Sequence, residues 1–252
     1  MHAFDNTLNL FPMFLGCVAG VKVRISESIS KGDKNEKKTL IKYILRPFSH
    51  WFTNCYMANS IDCGIWQFGK KTYDRGKVNI FKTVIDANAN AFNAKLREDT
   101  RKEFGWENKI VYGFIGRYVP QKNPLFLIDI FNEIAKKQEN AILVMIGFGE
   151  LENEMHDRIE SYGVTDKVID LGRRDDIKQF YNAFDAFLLP SLYEGMPVVG
   201  IEAQCSGLPI FFSKNITEET TASELAYYIG LEETPNIWAN KIVKVVNGHI
   251  HK

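Results

Sequence analysis

Two glutamates separated by seven residues, Glu194 and Glu202, frame Gly195, Met196 and Pro197 within the segment Ser191 to Glu202. Carboxylates accept hydrogen bonds from sugar and ribose hydroxyls. Pro197 suits the first turn of a helix, and the amides of Gly195 to Val198 are then helix-start donors, free to hold a phosphate. Glu202 falls one to two turns inside that helix. A second constellation is Gly116-Arg117, with Lys122 five residues on and Asn123-Pro124 opening a helix. An arginine, a lysine and the positive end of a helix suit one anion. The third is Leu171-Gly172-Arg173-Arg174-Asp175-Asp176. Asp175 is a candidate helix cap there, and the exposed loop can meet a nucleobase through its backbone. Each pattern has a plainer reading: solvated cations, surface helix acids, an ordinary capped turn. The glycine and proline between the two glutamates weigh against it for that pair.

Every one of these segments follows an apolar run of strand length. Ile110–Ile115, Ala141–Ile146, Val168–Leu171, Ala186–Leu189 and Leu208–Phe212 read as strands. Pro124–Lys137, Leu151–Tyr162, Ile177–Phe184, Pro197–Ser206 and Glu218–Leu225 read as helices. Continuous apolar strands alternating with helices predict a doubly wound parallel sheet, which places ligands beyond the carboxyl ends of its strands. The first 90 residues are less regular α/β material. Leu8–Ala19 and Thr39–Phe52 read as helices, Val21–Ser26, Cys55–Ala58 and Val78–Phe81 as strands, and Lys31–Lys38 as a polar loop. Asp86–Ala94 reads as a connection. The expected division is residues 1–95, a less regular α/β part with its linker, and residues 96–252, the doubly wound domain.

The chain of 252 residues has equal numbers of basic and acidic side chains, so no global field draws it to nucleic acid. Cys17, Cys55, Cys63 and Cys205 form no C-x-x-C pair and read as buried free thiols rather than disulfides or a zinc site. No apolar run approaches the roughly 20 residues of a bilayer span, and the N-terminus lacks the pattern of a signal peptide. Gly147-Phe148-Gly149 lacks the third glycine of a dinucleotide fingerprint, and no phosphate-binding P-loop or serine-nucleophile motif occurs. The histidines other than His2 read as incidental surface groups.

In chain order, Gly116-Arg117 with Lys122, Gly147-x-Gly149-Glu150, Leu171-Gly172, Glu194-x7-Glu202-Ala203 and Gly207-x-Pro209 resemble glycosyltransferase family 4. These are retaining enzymes of GT-B architecture, and the bacterial members that make capsular or exopolysaccharide are the most similar. The match covers about residues 105–230. The resemblance implies one complete Rossmann-like domain plus an incomplete N-terminal α/β domain, whose first strands and glycine-rich loop would precede Met1. It implies that Arg117 and Lys122 bind the donor diphosphate beside Gly116. Glu194 would meet the donor sugar, with Gly195, Met196 and Pro197 beside it. Glu202 would hold the ribose, and Arg173 would lie at the base. His2 stands on the acceptor side, where the family's His-x-His reads His2-Ala3-Phe4, and Ser26-Glu27-Ser28 occupies its further histidine-rich region. The interdomain Asn-Gly-Ile-Asp pattern appears as Thr83-Val84-Ile85-Asp86.

The expected function is transfer of a sugar, with retention, from a UDP- or GDP-sugar to a glycan or lipid-linked saccharide. No metal or other cofactor and no nucleic acid are expected. The expected location is the cytoplasm, with peripheral association at the inner face of the membrane. The alternatives are a truncated, non-catalytic donor-binding fragment and, more remotely, a sugar-nucleotide epimerase.

Overall fold

The computed structural model describes residues 1–30, 37–82 and 84–250. Residues 31–36 of the expected polar loop and Thr83 of the linker pattern lie outside the described residues. The chain divides into two compact units. The first comprises Met1–Val84 with two short later segments, Tyr193–Pro197 and Ile216–Glu219. The second comprises Ile85–Leu192, Val198–Asn215 and Thr220–Lys252.

The first unit holds a four-stranded parallel sheet in sequence order: β1 (His2–Ala3), β2 (Ile25–Ser28), β3 (Cys55–Ala58) and β4 (Val78–Ile80). Parallel neighbours need crossovers, and helices Leu10–Val18, Lys37–Leu45 and Ile61–Phe68 supply them. Ala58, Cys63, Phe68 and Val78 form the core. A buried polar cluster lies beside it, where Asn9 Nδ2 and Gln67 Nε2 both donate to Ser26 Oγ, at 2.9 and 3.1 Å. Helix Ile61–Phe68 forms where no element was expected. The helix expected at Leu8–Ala19 is Leu10–Val18, after a 3-10 turn, Asn6–Asn9. Two further bounds shift for reasons the structure shows. The strand expected at Val21–Ser26 is Ile25–Ser28, because the Arg24 amide bonds Asn54 Oδ1 at 2.8 Å and its guanidinium ties down the carbonyls of Val21 and Phe52. The helix expected over Thr39–Phe52 begins at Lys37 and ends at Leu45, passing into a 3-10 turn, Arg46–Phe48. Pro47 lacks the amide that would continue it.

The second unit is a six-stranded, wholly parallel sheet. Its strands are β5 (Ile110–Ile115), β6 (Ala141–Ile146), β7 (Val168–Asp170), β8 (Ala186–Leu189), β9 (Ile210–Ser213) and β10 (Ala226–Ile229), in the order β10-β9-β8-β5-β6-β7. β5 pairs with both β6 and β8, so the strand order reverses beside β5. Open sheets of this kind bind ligands in the crevice beyond such a switch point. This is the doubly wound sheet that the apolar runs predict, and the α/β, GT-B-like fold class holds.

The unit departs from expectation in several places, and strand β10 and helix Pro235–Ile250 form where no element was expected. No helix forms over Glu218–Leu225. A single 3-10 turn, Glu218–Thr220, precedes strand β10. The Gln204 side chain takes up the backbone instead, donating to the Thr220 carbonyl at 2.9 Å and accepting from Ala222 and Ser223 amides at 2.7 and 3.0 Å. A helix also forms at Ala94–Phe104, capped by Asn93 and closed by left-handed Gly105. It is anchored by ion pairs from Arg97 and Arg101 to the buried Asp185. All four cysteines are free, but only Cys63 is buried as expected; Cys55 and Cys205 are half-buried and Cys17 is exposed.

Candidate functional site

The loops after β5, β6 and β7 continue the pairing of their strands. The Gly116 amide donates to the Ile146 carbonyl at 3.0 Å, and the Gly147 amide to the Gly172 carbonyl at 2.9 Å. A Cβ on Gly147 would overlap the Gly116 carbonyl oxygen, so only glycine allows this approach. One residue beyond each glycine stand Arg117, Phe148 and Arg173, all exposed. The Arg173 guanidinium lies 5.7 Å from the Phe148 ring centroid, a cation–π distance.

Two tyrosines stiffen this region, and the sequence reading named neither. Tyr118, buried directly after Arg117, donates to Asp170 Oδ1 at 2.8 Å, and the same oxygen accepts the Gly172 amide at 2.9 Å. One carboxylate thereby joins the first loop to the third. Burial, then the Asp170 carboxylate, pushes the Tyr118 phenol far above the ordinary tyrosine value. Tyr181, also buried, donates to Glu202 Oε2 at 2.9 Å. Its phenol is likewise raised by burial and by Glu202. Neither carried a signal in the sequence, since each is a buried aromatic whose hydroxyl partner lies far along the chain.

Lys122 closes a 3-10 turn, Pro120–Lys122, and Asn123 turns left-handed at φ 55° to open helix Pro124–Ala135. This turn is bonded to the loop after β8. The Leu192 amide donates to the Gln121 carbonyl at 2.8 Å, and Asn123 Nδ2 donates to the Pro190 carbonyl at 3.2 Å. From the other side, Ser213 Oγ and Asn215 Nδ2 donate to the carbonyls of Ser191 and Leu192. The post-β5 and post-β8 loops therefore meet at the switch point. The second unit gathers Gly116, Arg117, Lys122 and Arg173 on its post-strand loops. Glu202 follows on helix Val198–Cys205, which starts one residue later than expected.

Glu194, Gly195, Met196 and Pro197 belong to the first unit. Glu194 is buried, at 6% exposure. A Cβ on Gly195 would overlap the Ile29 carbonyl oxygen. His2 is exposed on β1 and lies 2.8 Å through Nε2 from Glu27 of the neighbouring strand. The expected cap, Asp175, does not cap. Asp176 is the N-cap residue, and its carboxylate is held by Arg174 at 2.6 and 2.8 Å instead of by the helix amides. Among the described residues no group of three or more His, Cys, Asp or Glu side chains is arranged to hold a metal ion.

A wholly parallel, doubly wound sheet, with Arg117 and Lys122 on the loop beyond β5 and Glu202 on the helix after β8, is a Rossmann-like α/β unit of the GT-B kind. Residues 97–244 match the family described as glycosyl transferases group 1, and the chain belongs to that family. EpsF of Bacillus subtilis (strain 168) is 29% identical over 249 residues, covering 97% of this chain and 65% of EpsF. The Escherichia coli UDP-Gal:alpha-D-GlcNAc-diphosphoundecaprenol alpha-1,3-galactosyltransferase is 37% identical over 109 residues, 42% of this chain and 28% of that protein. The chain thus spans less than two thirds of the length of either relative. In fold it is similar to Anabaena HepE, crystallised with UDP-glucose, at a TM-score of 0.81 and 19% identity over 99% of this chain and 68% of HepE.

Proposed function

We propose that the chain carries the donor site of a retaining, metal-independent hexosyltransferase of the family 4 kind. It moves a sugar from a UDP- or GDP-sugar to a glycan or lipid-linked saccharide in bacterial capsule or exopolysaccharide synthesis, acting from the cytoplasmic side. The observation that carries this reading is the meeting of the Lys122 turn and the post-β8 loop at the switch point, with Arg117 exposed beside them.

In this reading Arg117 and Lys122 take the donor diphosphate beside Gly116 and the start of helix Pro124–Ala135. Glu202 accepts ribose hydroxyls, and the Arg173 loop receives the base. Glu194 meets the sugar hydroxyls, with the backbone of Gly195 to Pro197 beside it. His2 stands on the acceptor side. The acceptor oxygen bonds to the anomeric carbon as the bond from that carbon to the phosphate oxygen breaks. The attack comes on the face the diphosphate leaves, the electron pair departs on the diphosphate, and the acceptor's proton passes to the departing phosphate oxygen. Charge thus grows where the two cations stand, so electrostatic preorganisation supplies most of the rate.

A thermal-shift series with UDP, GDP, ADP and their sugars tests the reading, because ligand binding raises stability by mass action. A uridine or guanosine diphosphate and its sugar should raise the midpoint equally with and without EDTA. No shift with any nucleotide would overturn the donor site, and a magnesium-restored shift would overturn metal independence. The anomeric configuration of the product, read by NMR, tests retention.

A further inference from the structure

The segment joining β9 to β10 holds only the 3-10 turn Glu218–Thr220, so the last strand has no crossover helix of its own. The alternate residues Leu225, Tyr227 and Ile229 share one face of the sheet there. Phe211 is the partner of Tyr227 in register, and the two rings stack with centroids 5.2 Å apart and planes 18° apart. Helix Pro235–Ile250 turns Trp238, Ile242 and Val246 into the core, where Trp238 meets Phe126 at 5.8 Å. An adjoining face of the same helix carries Lys241, Lys244, Val245, Gly248 and His249 at helical spacing. Between that face and the Tyr227 face of the sheet lies a cavity of about 520 Å³, in the size range of small-molecule sites.

The lining is divided by chemistry. Phe211, Leu225, Tyr227, Ile229 and Val245 supply an apolar wall, and the exposed Lys241 and Lys244 stand one helical turn apart on the other side. Among the described residues no acidic side chain lines the cavity. Helix Pro235–Ile250 contains no Asp or Glu, in a chain whose net charge is zero. Gly248 is unfavourable in a helix, yet a Cβ there would meet nothing within 4 Å. The missing side chain leaves room in the cavity. All of these residues belong to the second unit, and none of those given to the donor lines the cavity.

We propose that this cavity is a second ligand site, which takes a small amphipathic anion: an apolar body of ring or short-chain size with one anionic head. The body lies against Phe211, Tyr227 and Ile229, where removing apolar surface from water drives binding. The head meets the ammonium groups of Lys241 and Lys244 in charge-assisted contacts. A neutral molecule with the same body leaves both lysines in water, and a small anion without the body gains nothing from the wall. The site goes beyond the donor-site reading and does not rest on it.

The test is calorimetric titration of the full chain with decanoate, decanol and acetate. Decanoate should saturate a single site, decanol should bind about tenfold more weakly or worse, and acetate should give no measurable binding. Lys241→Glu with Lys244→Glu should weaken decanoate binding about tenfold or more, because the charge-assisted contacts are lost. Gly248→Leu should abolish binding by filling the cavity, while the thermal midpoint holds or rises, since leucine is the better helix former. Saturating UDP should leave decanoate binding unchanged, so failure here and failure of the donor-site reading are told apart. Absence of a saturable decanoate site would overturn the proposal, as would equal affinity for decanol. So would undiminished binding by either variant, or displacement of decanoate by UDP, which would move the anion to the donor loops.

Discussion

The phenol of Tyr181 donates to Glu202 Oε2 at 2.9 Å, from the interior of the second unit to a half-buried carboxylate. Tyr181 stands on helix Ile177–Ala183, which the chain enters through the Arg173 loop. Glu202 stands on helix Val198–Cys205. The loop assigned to the base and the carboxylate assigned to the ribose are therefore mechanically linked, and the tyrosine fixes one of the two carboxylate oxygens.

Tyr181→Phe should weaken binding of the preferred nucleoside diphosphate about three- to tenfold. A hydrogen bond to a charged group contributes about 1.5–3 kcal/mol, and Glu202 keeps its contact with the ligand. The 2′,3′-dideoxy analogue should lose little, because it has no ribose hydroxyls to offer. Equal losses for the two ligands, measured by calorimetry, would show that the tyrosine supports only the fold.

Arg117→Ala and Lys122→Ala should each cost about tenfold or more in nucleoside diphosphate affinity, by the same charge-assisted contribution. The parent nucleoside should bind almost as before. A nucleoside that suffers as much as its diphosphate would remove both residues from the phosphate site.

The two glutamates should separate. Glu202→Gln should impair every ribose-containing ligand, with or without the sugar. Glu194→Gln should spare the free nucleoside diphosphate and affect discrimination among donor sugars and transfer. Identical losses on free UDP or GDP would dissolve the distinction.

Alkaline pH should expose the buried tyrosines. Burial comes first in holding Tyr112, Tyr118 and Tyr181 above the ordinary value, followed by Asp185, Asp170 and Glu202 respectively. In the unfolded chain these phenols ionise near pH 10, before they do in the folded one. Their stabilising contribution is complete below that pH and is lost as pH rises toward the folded values, by roughly 1.4 kcal/mol per pH unit for each tyrosine. Melting curves should show the midpoint falling above about pH 10, and Tyr118→Phe should flatten the decline. An unchanged slope in that variant would contradict the assignment.

The second sheet was legible because its strands are buried on both faces. Ala141–Ile146 and Ala186–Leu189 read as continuous apolar runs and form strands with those bounds. Helix Ala94–Phe104 was not legible, because Arg97 and Arg101 hold it to Asp185 where an apolar stripe would have shown a period. The helix expected at Glu218–Leu225 fails for a related reason. A side chain distant in sequence, Gln204, satisfies that backbone, and no local pattern reports it. Helix Pro235–Ile250 does carry a readable period in Trp238, Ile242 and Val246. At the site, charges and glycines were legible by type and spacing. Tyr118 and Tyr181 were not, because an aromatic in an apolar run looks like core until its hydroxyl has a partner.

The bridge made by Asp170 separates two jobs within a few residues of chain. Asp170 and Gly172 anchor the third loop to Tyr118, whereas Arg173 projects into solvent. Change can therefore accumulate at the tip of that loop without loosening its root. In the proposed donor site, substitutions confined to Arg173 should change base preference on an unaltered frame, with Arg174 still holding Asp176.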